Sequence, residues 1–156
     1  MKITQLDTKS PQDEGAFLHL EHTKFGHLMY DGPNADGDGR WTSEEEPEES
    51  CRVGIIVRGM EAQTVQTFTR DQQRKNLLNL KKKNPTPVPD QDHENGIKFA
   101  CVLIVKFVNI QDENGEELPP TEENKRAFIE YSDDLSRQIL AFARDRDNFF
   151  GQLSSD

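Results

Sequence analysis

The stretch from Leu118 to Phe150 constrains the fold more than any other part of this chain. Pro119-Pro120 stops whatever precedes it. Thr121 then offers an N-cap, and Glu122 and Glu123 sit in the first turn, where carboxylates favour the helix dipole. Ser132 restarts the same signal, followed by Asp133 and Asp134. Leu135, Ile139, Phe142 and Phe149 fall on one face of the helix that follows. The spacing therefore predicts two short helices with an aromatic finish. The stretch carries no catalytic constellation, so it reads as a docking surface.

The other segments predict an α+β fold, with a small N-terminal antiparallel β element packed on a predominantly helical C-terminal part. Residues 1–15 read as a flexible arm, and residues 16–156 as one domain. Ala16–Leu20 and His27–Tyr30 are short strand candidates around a turn at Lys24–Gly26. Cys51–Arg58 is the best strand, β-branched and ended by Gly59. From Met60 to about Lys83 the pattern is helical but sparsely apolar, which suits a helix facing solvent or a partner. Residues 84–92 hold three prolines and read as a stiff linker. Residues 94–110 are almost continuously apolar, and their length favours a buried helix over a strand. Asn114-Gly115 marks a reversal within residues 111–117.

The net charge of −10 is unevenly distributed. Residues 1–50 carry 12 acids and 4 bases, residues 51–89 carry 2 acids and 8 bases, and residues 90–156 carry 15 acids and 7 bases. An acidic–basic–acidic order opposes general nucleic-acid binding, which needs a net basic face. It suits protein contacts steered by complementary patches, a homo-oligomer among them. Cys51 and Cys101 stand in unrelated contexts and form neither a disulfide framework nor a CxxC pair. The N-terminal segment has no apolar leader pattern, and the apolar run Phe99–Val108 is too short to span a membrane.

Residues 34–45, NADGDGRWTSEE, resemble a calcium loop of the EF-hand kind. Oxygens would come from Asn34, Asp36, Asp38, the carbonyl of Arg40, Thr42 and Glu45, with Gly39 at the sharp turn. The flanks oppose it, because Pro33 and Pro47 leave no helix pair around the loop. The bland alternative is an acidic, glycine-rich surface loop within residues 31–50. His19, His22 and His27 lack a spacing that suits a metal. The chain contains no GxSxG, P-loop, HExxH or GxGxxG, so a non-catalytic role is expected.

The order of segments carries a resemblance. It runs from FGHLMYDG (25–32) through VGIIVRGMEAQTVQTF (53–68), RDQQRKNLLNLKKK (70–83) and GIKFACVLIVKFVNI (96–110) to EELPPTEENKRAFIEYSDDLSRQILAFARDRDNFF (116–150). In that order the chain resembles the tail assembly chaperones of tailed bacteriophages. The resemblance implies a protein of the host cytoplasm that binds tape-measure and tail-tube proteins during tail morphogenesis. Phe128, Ile139, Phe142, Phe149 and Phe150 are then the candidate partner-binding anchors. A structural tail or head–tail component of the virion is the alternative. An acidic inhibitor imitating nucleic acid is opposed by the basic block that splits the acids.

Overall fold

A computed structural model describes residues 1–81 and 88–150, with side chains of the second stretch described from His93 onward. The class is α+β, with five helices and a small three-stranded antiparallel sheet. The chain runs through α1 (Lys9–Glu14), β1 (Ala16–His19), β2 (Gly54–Val57) and α2 (Gln63–Leu80). It continues through α3 (Val88–Leu103), β3 (Ile104–Val108), α4 (Glu122–Glu130) and α5 (Asp133–Arg144).

β2 is the central strand. Ile55 pairs with Leu18 on one side and Phe107 on the other. Between Ile56 and Val57 the register with β3 shifts, so Val105 is the extra residue of a bulge. Ile55, Val57, Ile104 and Phe107 are buried, and helices α3, α4 and α5 close over them with Leu103, Phe128, Leu135 and Ile139. The result is one contiguous apolar core.

Both predicted helix starts are present. Thr121 Oγ1 accepts from the Asn124 amide at 3.2 Å, and Ser132 Oγ accepts from the Asp134 amide at 3.2 Å. The single face expected from Leu135 to Phe149 is interrupted. α5 ends at Arg144, and Asp145 caps a separate 3-10 turn over Arg146–Phe149. That turn folds Phe149 back onto Phe142, with ring centroids 5.7 Å apart.

Three other expectations are corrected. Residues 94–110 are not one helix, because α3 passes directly into β3 at Leu103–Ile104. Arg58 explains the change. Its amide donates to the Leu103 carbonyl at 2.7 Å, and its guanidinium Nη1 donates to the Val102 carbonyl at 2.7 Å. The last helical carbonyls are thereby satisfied from outside the helix, and the β-branched residues that follow pair with β2. The arm is also not free. α1 lies against the start of α2, with Gln12 at 1% exposure. Gln12 Oε1 accepts from the Glu61 amide at 2.8 Å, and its backbone carbonyl from the Gly59 amide at 3.0 Å. Of the expected linker 84–92, the portion before Val88 lies outside the described residues, and the backbone from Val88 is helical. Pro89 is tolerated there because the first turn needs no amide donor.

Arg58 is half-buried and also lies 3.8 Å from Asp13, which accepts from the amide and hydroxyl of Thr64. Arg58→Leu should therefore lower unfolding free energy by about 1.5–3 kcal/mol, the value of a charge-assisted hydrogen bond. Denaturant titration checks this, and hydrogen exchange should show the loss concentrated at the α3–β3 junction.

Candidate functional site

An open groove of about 340 Å³ lies between the segment after β1 and the pair α4–α5. Leu20, Met29, Val53, Ile110, Phe128 and Leu135 form most of its lining. Its polar contributors are His22, Thr23, Asn109 and Tyr131. Tyr131 of its lining is 84% exposed, and Phe25, whose ring stacks on the lining residue His22, is 59% exposed.

One wall is held by a side-chain amide acting as a strand partner. Gln138 of α5 is buried; its Oε1 accepts from the Glu21 amide at 2.9 Å, and its Nε2 donates to the Glu21 carbonyl at 3.0 Å. The same Nε2 donates to Asp134 Oδ2 at 2.8 Å. Past Glu21 the chain reverses, and the Gly26 amide donates to the His22 carbonyl at 2.9 Å. Gly26 takes a φ of 77°, which glycine adopts without strain. The rings of His22, Phe25 and His27 stack on one another, with His22–Phe25 centroids at 4.8 Å and His22–His27 at 5.0 Å.

The floor is fixed at its far end by Asn109. This residue has a φ of 57°, a left-handed conformation that asparagine tolerates better than most residues. Its Nδ2 donates to the carbonyls of Ser50 at 2.8 Å and Arg52 at 2.7 Å, tying the end of β3 to the approach to β2.

The structure redistributes the candidate anchors. Ile139 is fully buried, and Phe128 and Phe149 are each 9% exposed. All three serve the domain's own core or its edge, so they are not free anchors. Phe128 does reach the groove lining and packs on Phe107 with centroids at 5.1 Å. Phe142 is half-buried against the core, and half-buried Phe150 lies under the Arg146 guanidinium at 5.6 Å. Helical spacing could not distinguish these cases, because a buried face and a docking face have the same period. The exposed Tyr131, Phe25 and Leu28 carried no periodic signal.

The calcium-like loop is built by its own hydrogen bonds. Asp36 Oδ1 accepts from the amides of Asp38 and Arg40, both at 2.9 Å. The Arg40 carbonyl accepts from the Asp36 amide at 3.0 Å, and Thr42 Oγ1 donates to the Asn34 carbonyl at 2.8 Å. Trp41 Nε1 donates to the Glu45 carbonyl at 2.7 Å, and the Asp38 carbonyl contacts His27 Nε2 at 2.9 Å. Among the described residues no group of three His, Cys, Asp or Glu side chains is placed to hold a metal ion. His19 stands apart from the other histidines, its Nε2 at 2.7 Å from the Met29 carbonyl, and burial pushes its pKa down.

Residues 112–116 repeat this arrangement. Asp112 Oδ1 accepts from the amides of Asn114 and Glu116, and the Asp112 amide donates to the Glu116 carbonyl at 2.8 Å. Gly39 and Gly115 hold φ values of 77° and 82° at corresponding positions. Each turn closes a short antiparallel bridge, Ala35 with Trp41 and Gln111 with Glu117. Asp-x-Asx-Gly-x is thus a reversal used twice, and its likeness to a calcium loop follows from the turn chemistry.

Gln138→Leu leaves the Glu21 amide and carbonyl without their partner. It should cost about 1–3 kcal/mol and raise hydrogen exchange at Glu21 before exchange in β2 changes. Acid should act in a defined direction. Hydrogen bonds from the Arg40 and Asp38 amides hold the Asp36 carboxyl below its ordinary value of 3.8, Thr64 does so for Asp13, and Arg137 with Gln138 for Asp134. A carboxyl with a lowered native pKa stabilises the fold above its unfolded value, and that contribution is lost as pH falls through the native value. Stability should therefore fall as pH drops through and below 3.8. Asp36→Asn should flatten part of the slope. The unsubstituted chain should be equally stable with and without calcium, whereas a calcium-held loop would be stabilised by the ion.

No protein-family model, no curated protein and no solved structure matches this chain.

Proposed function

We propose that this chain is a non-catalytic tail assembly chaperone of a tailed bacteriophage. Its groove between the 20–30 segment and α4–α5 receives an apolar face of the tape-measure protein, and the complex recruits tail-tube subunits in the host cytoplasm. The observation that carries the docking half is the groove itself, an apolar floor that ends on exposed Tyr131 and, through the ring stacked on His22, exposed Phe25. A helix presenting side chains at i, i+3, i+4 and i+7 can lay its apolar face along such a floor. The order of sequence segments supplies the phage-tail half. The strongly negative net charge keeps the protein and an apolar cargo soluble.

Tagged protein expressed in infected cells should capture tape-measure or tail-tube protein and be missing from purified particles. Presence in particles at fixed copy number would make it a structural component instead. Phe25→Asp with Tyr131→Asp should weaken capture at least tenfold, roughly 1.4 kcal/mol, without lowering thermal stability, since both side chains are mostly exposed. Undiminished capture by that variant would remove the groove from the interface.

A further inference from the structure

The second half of α2 presents an outward face that none of the described residues covers. Val65 is 2% exposed, and Phe68 packs on Phe99 with centroids 6.2 Å apart, which fixes the side of α2 that faces α3. Gln72 and Asn79 continue that side and are half-buried. At about 100° per residue, Leu80, Leu77, Arg70, Lys81, Arg74 and Leu78 fall together on an arc of roughly 160° turned away from it. Leu77, Leu78 and Leu80 are 60%, 56% and 71% exposed. Arg70, Arg74, Lys75 and Lys81 form no ion pair among the described residues, although the whole chain stands at −10. Unpaired bases interleaved with exposed leucines, in an acidic protein, describe one half of an interface.

The complementary half is present in the same chain. A groove of about 400 Å³ lies between the start of α3 and the α4–α5 corner, on the far side of α3 from α2. Ile97, Ile129 and Leu140 form its apolar lining, and Glu130 and Asp133 stand at its edge, both exposed. Arg126 is shared between Glu94 at 2.6 Å and Glu130 at 3.1 Å, so one cation serves two carboxylates and the rim stays negative. This groove is separate from the one assigned to cargo.

We infer that the outward face of α2 docks into the α3–α4–α5 groove of a second copy of this chain, leucines on the apolar floor and bases against Glu130 and Asp133. Charge complementarity selects this occupant, since the leucine-and-base face and the apolar, acid-rimmed groove occur in one sequence. Because the two halves lie on opposite sides of α3, a chain cannot satisfy both within itself. The contact is heterologous, and each copy keeps one free face and one free groove, which generates a ring or an open chain. Interleaved leucines oppose nucleic acid as the occupant, because phosphate contacts need charge without apolar area.

Sedimentation velocity on the full chain tests this. At low salt the weight-average mass should rise with concentration, and added salt should lower it. Arg70→Glu with Arg74→Glu, and separately Glu130→Gln with Asp133→Asn, should each give a monomer with unchanged circular dichroism. An equimolar mixture of the two variants should give a dimer and nothing larger, because one intact junction remains. A monomeric wild-type protein at all concentrations would overturn the inference and leave the α2 face to a different partner. Association that survives in either variant, or a mixture that stays monomeric, would overturn it as well.

Discussion

The architecture depends on how Arg58 terminates α3. A helix and a strand joined with no residue between them leave the last helical carbonyls without partners, and buried carbonyls cannot be left so. Arg58 supplies both a backbone amide and a guanidinium to Leu103 and Val102. It stands one residue past the end of β2, so the strand that pairs with β3 is also the element that ends the preceding helix. From the same position Arg58 faces Asp13, and Asp13 accepts from Thr64 at the start of α2. One side chain therefore sets the relative placement of α1, β2, α2 and the α3–β3 junction. Gly59, next in sequence, has no room for a side chain, since a Cβ there would lie 2.6 Å from Gln12 Cγ.

What could be read from the sequence were interactions that close within a few residues. Thr121 and Ser132 announce their helices because an N-cap bonds an amide two or three positions away. The reversal at Asn114-Gly115 and the strand around Ile55 are local in the same sense. The switch at Leu103–Ile104 is not local. The partner that decides it lies about 45 positions upstream, and the apolar run 97–108 suits either conformation until that partner arrives. The attachment of residues 1–15 was hidden for a similar reason. It is made by Gln12, Asp13 and Thr8, polar residues with no periodic signature, bonding to Glu61 and Thr64.

The candidate site shows the other limit of pattern reading. Phe128, Ile139 and Phe149 obey the same spacing whether they face a partner or their own sheet. Tertiary contacts decide instead: Phe107 of β3 packs on Phe128, Ile139 is enclosed in the core, and Phe149 folds back onto Phe142. The calcium-like spelling of residues 34–45 is ambiguous for a different reason. Ion coordination and hairpin reversal both select aspartate, asparagine and glycine at short intervals, the first for oxygens and the second for Asx bonding and left-handed φ. The unrelated reversal at 112–116, built on the same bonds, shows that the second requirement is sufficient for such a spelling.

Exposed apolar area in this molecule is divided by charge. Around Tyr131 and Phe25 the groove lining is nearly free of ionic groups, so whatever enters is selected by shape and hydrophobicity. Along the end of α2 every exposed leucine has a base beside it, and across α3 the apolar lining meets carboxylates. Opposite charges speed encounter and fix register, whereas uncharged apolar surface tolerates many sequences. A protein that must arrange itself in one way while accepting a long apolar segment needs both kinds of surface. It needs them kept apart, because bases at the apolar groove would draw the acidic faces of other copies into it. The basic block between residues 51 and 89 gives the stretch containing α2 a net positive charge, whereas residues 90–156, α4 and α5 among them, are net acidic.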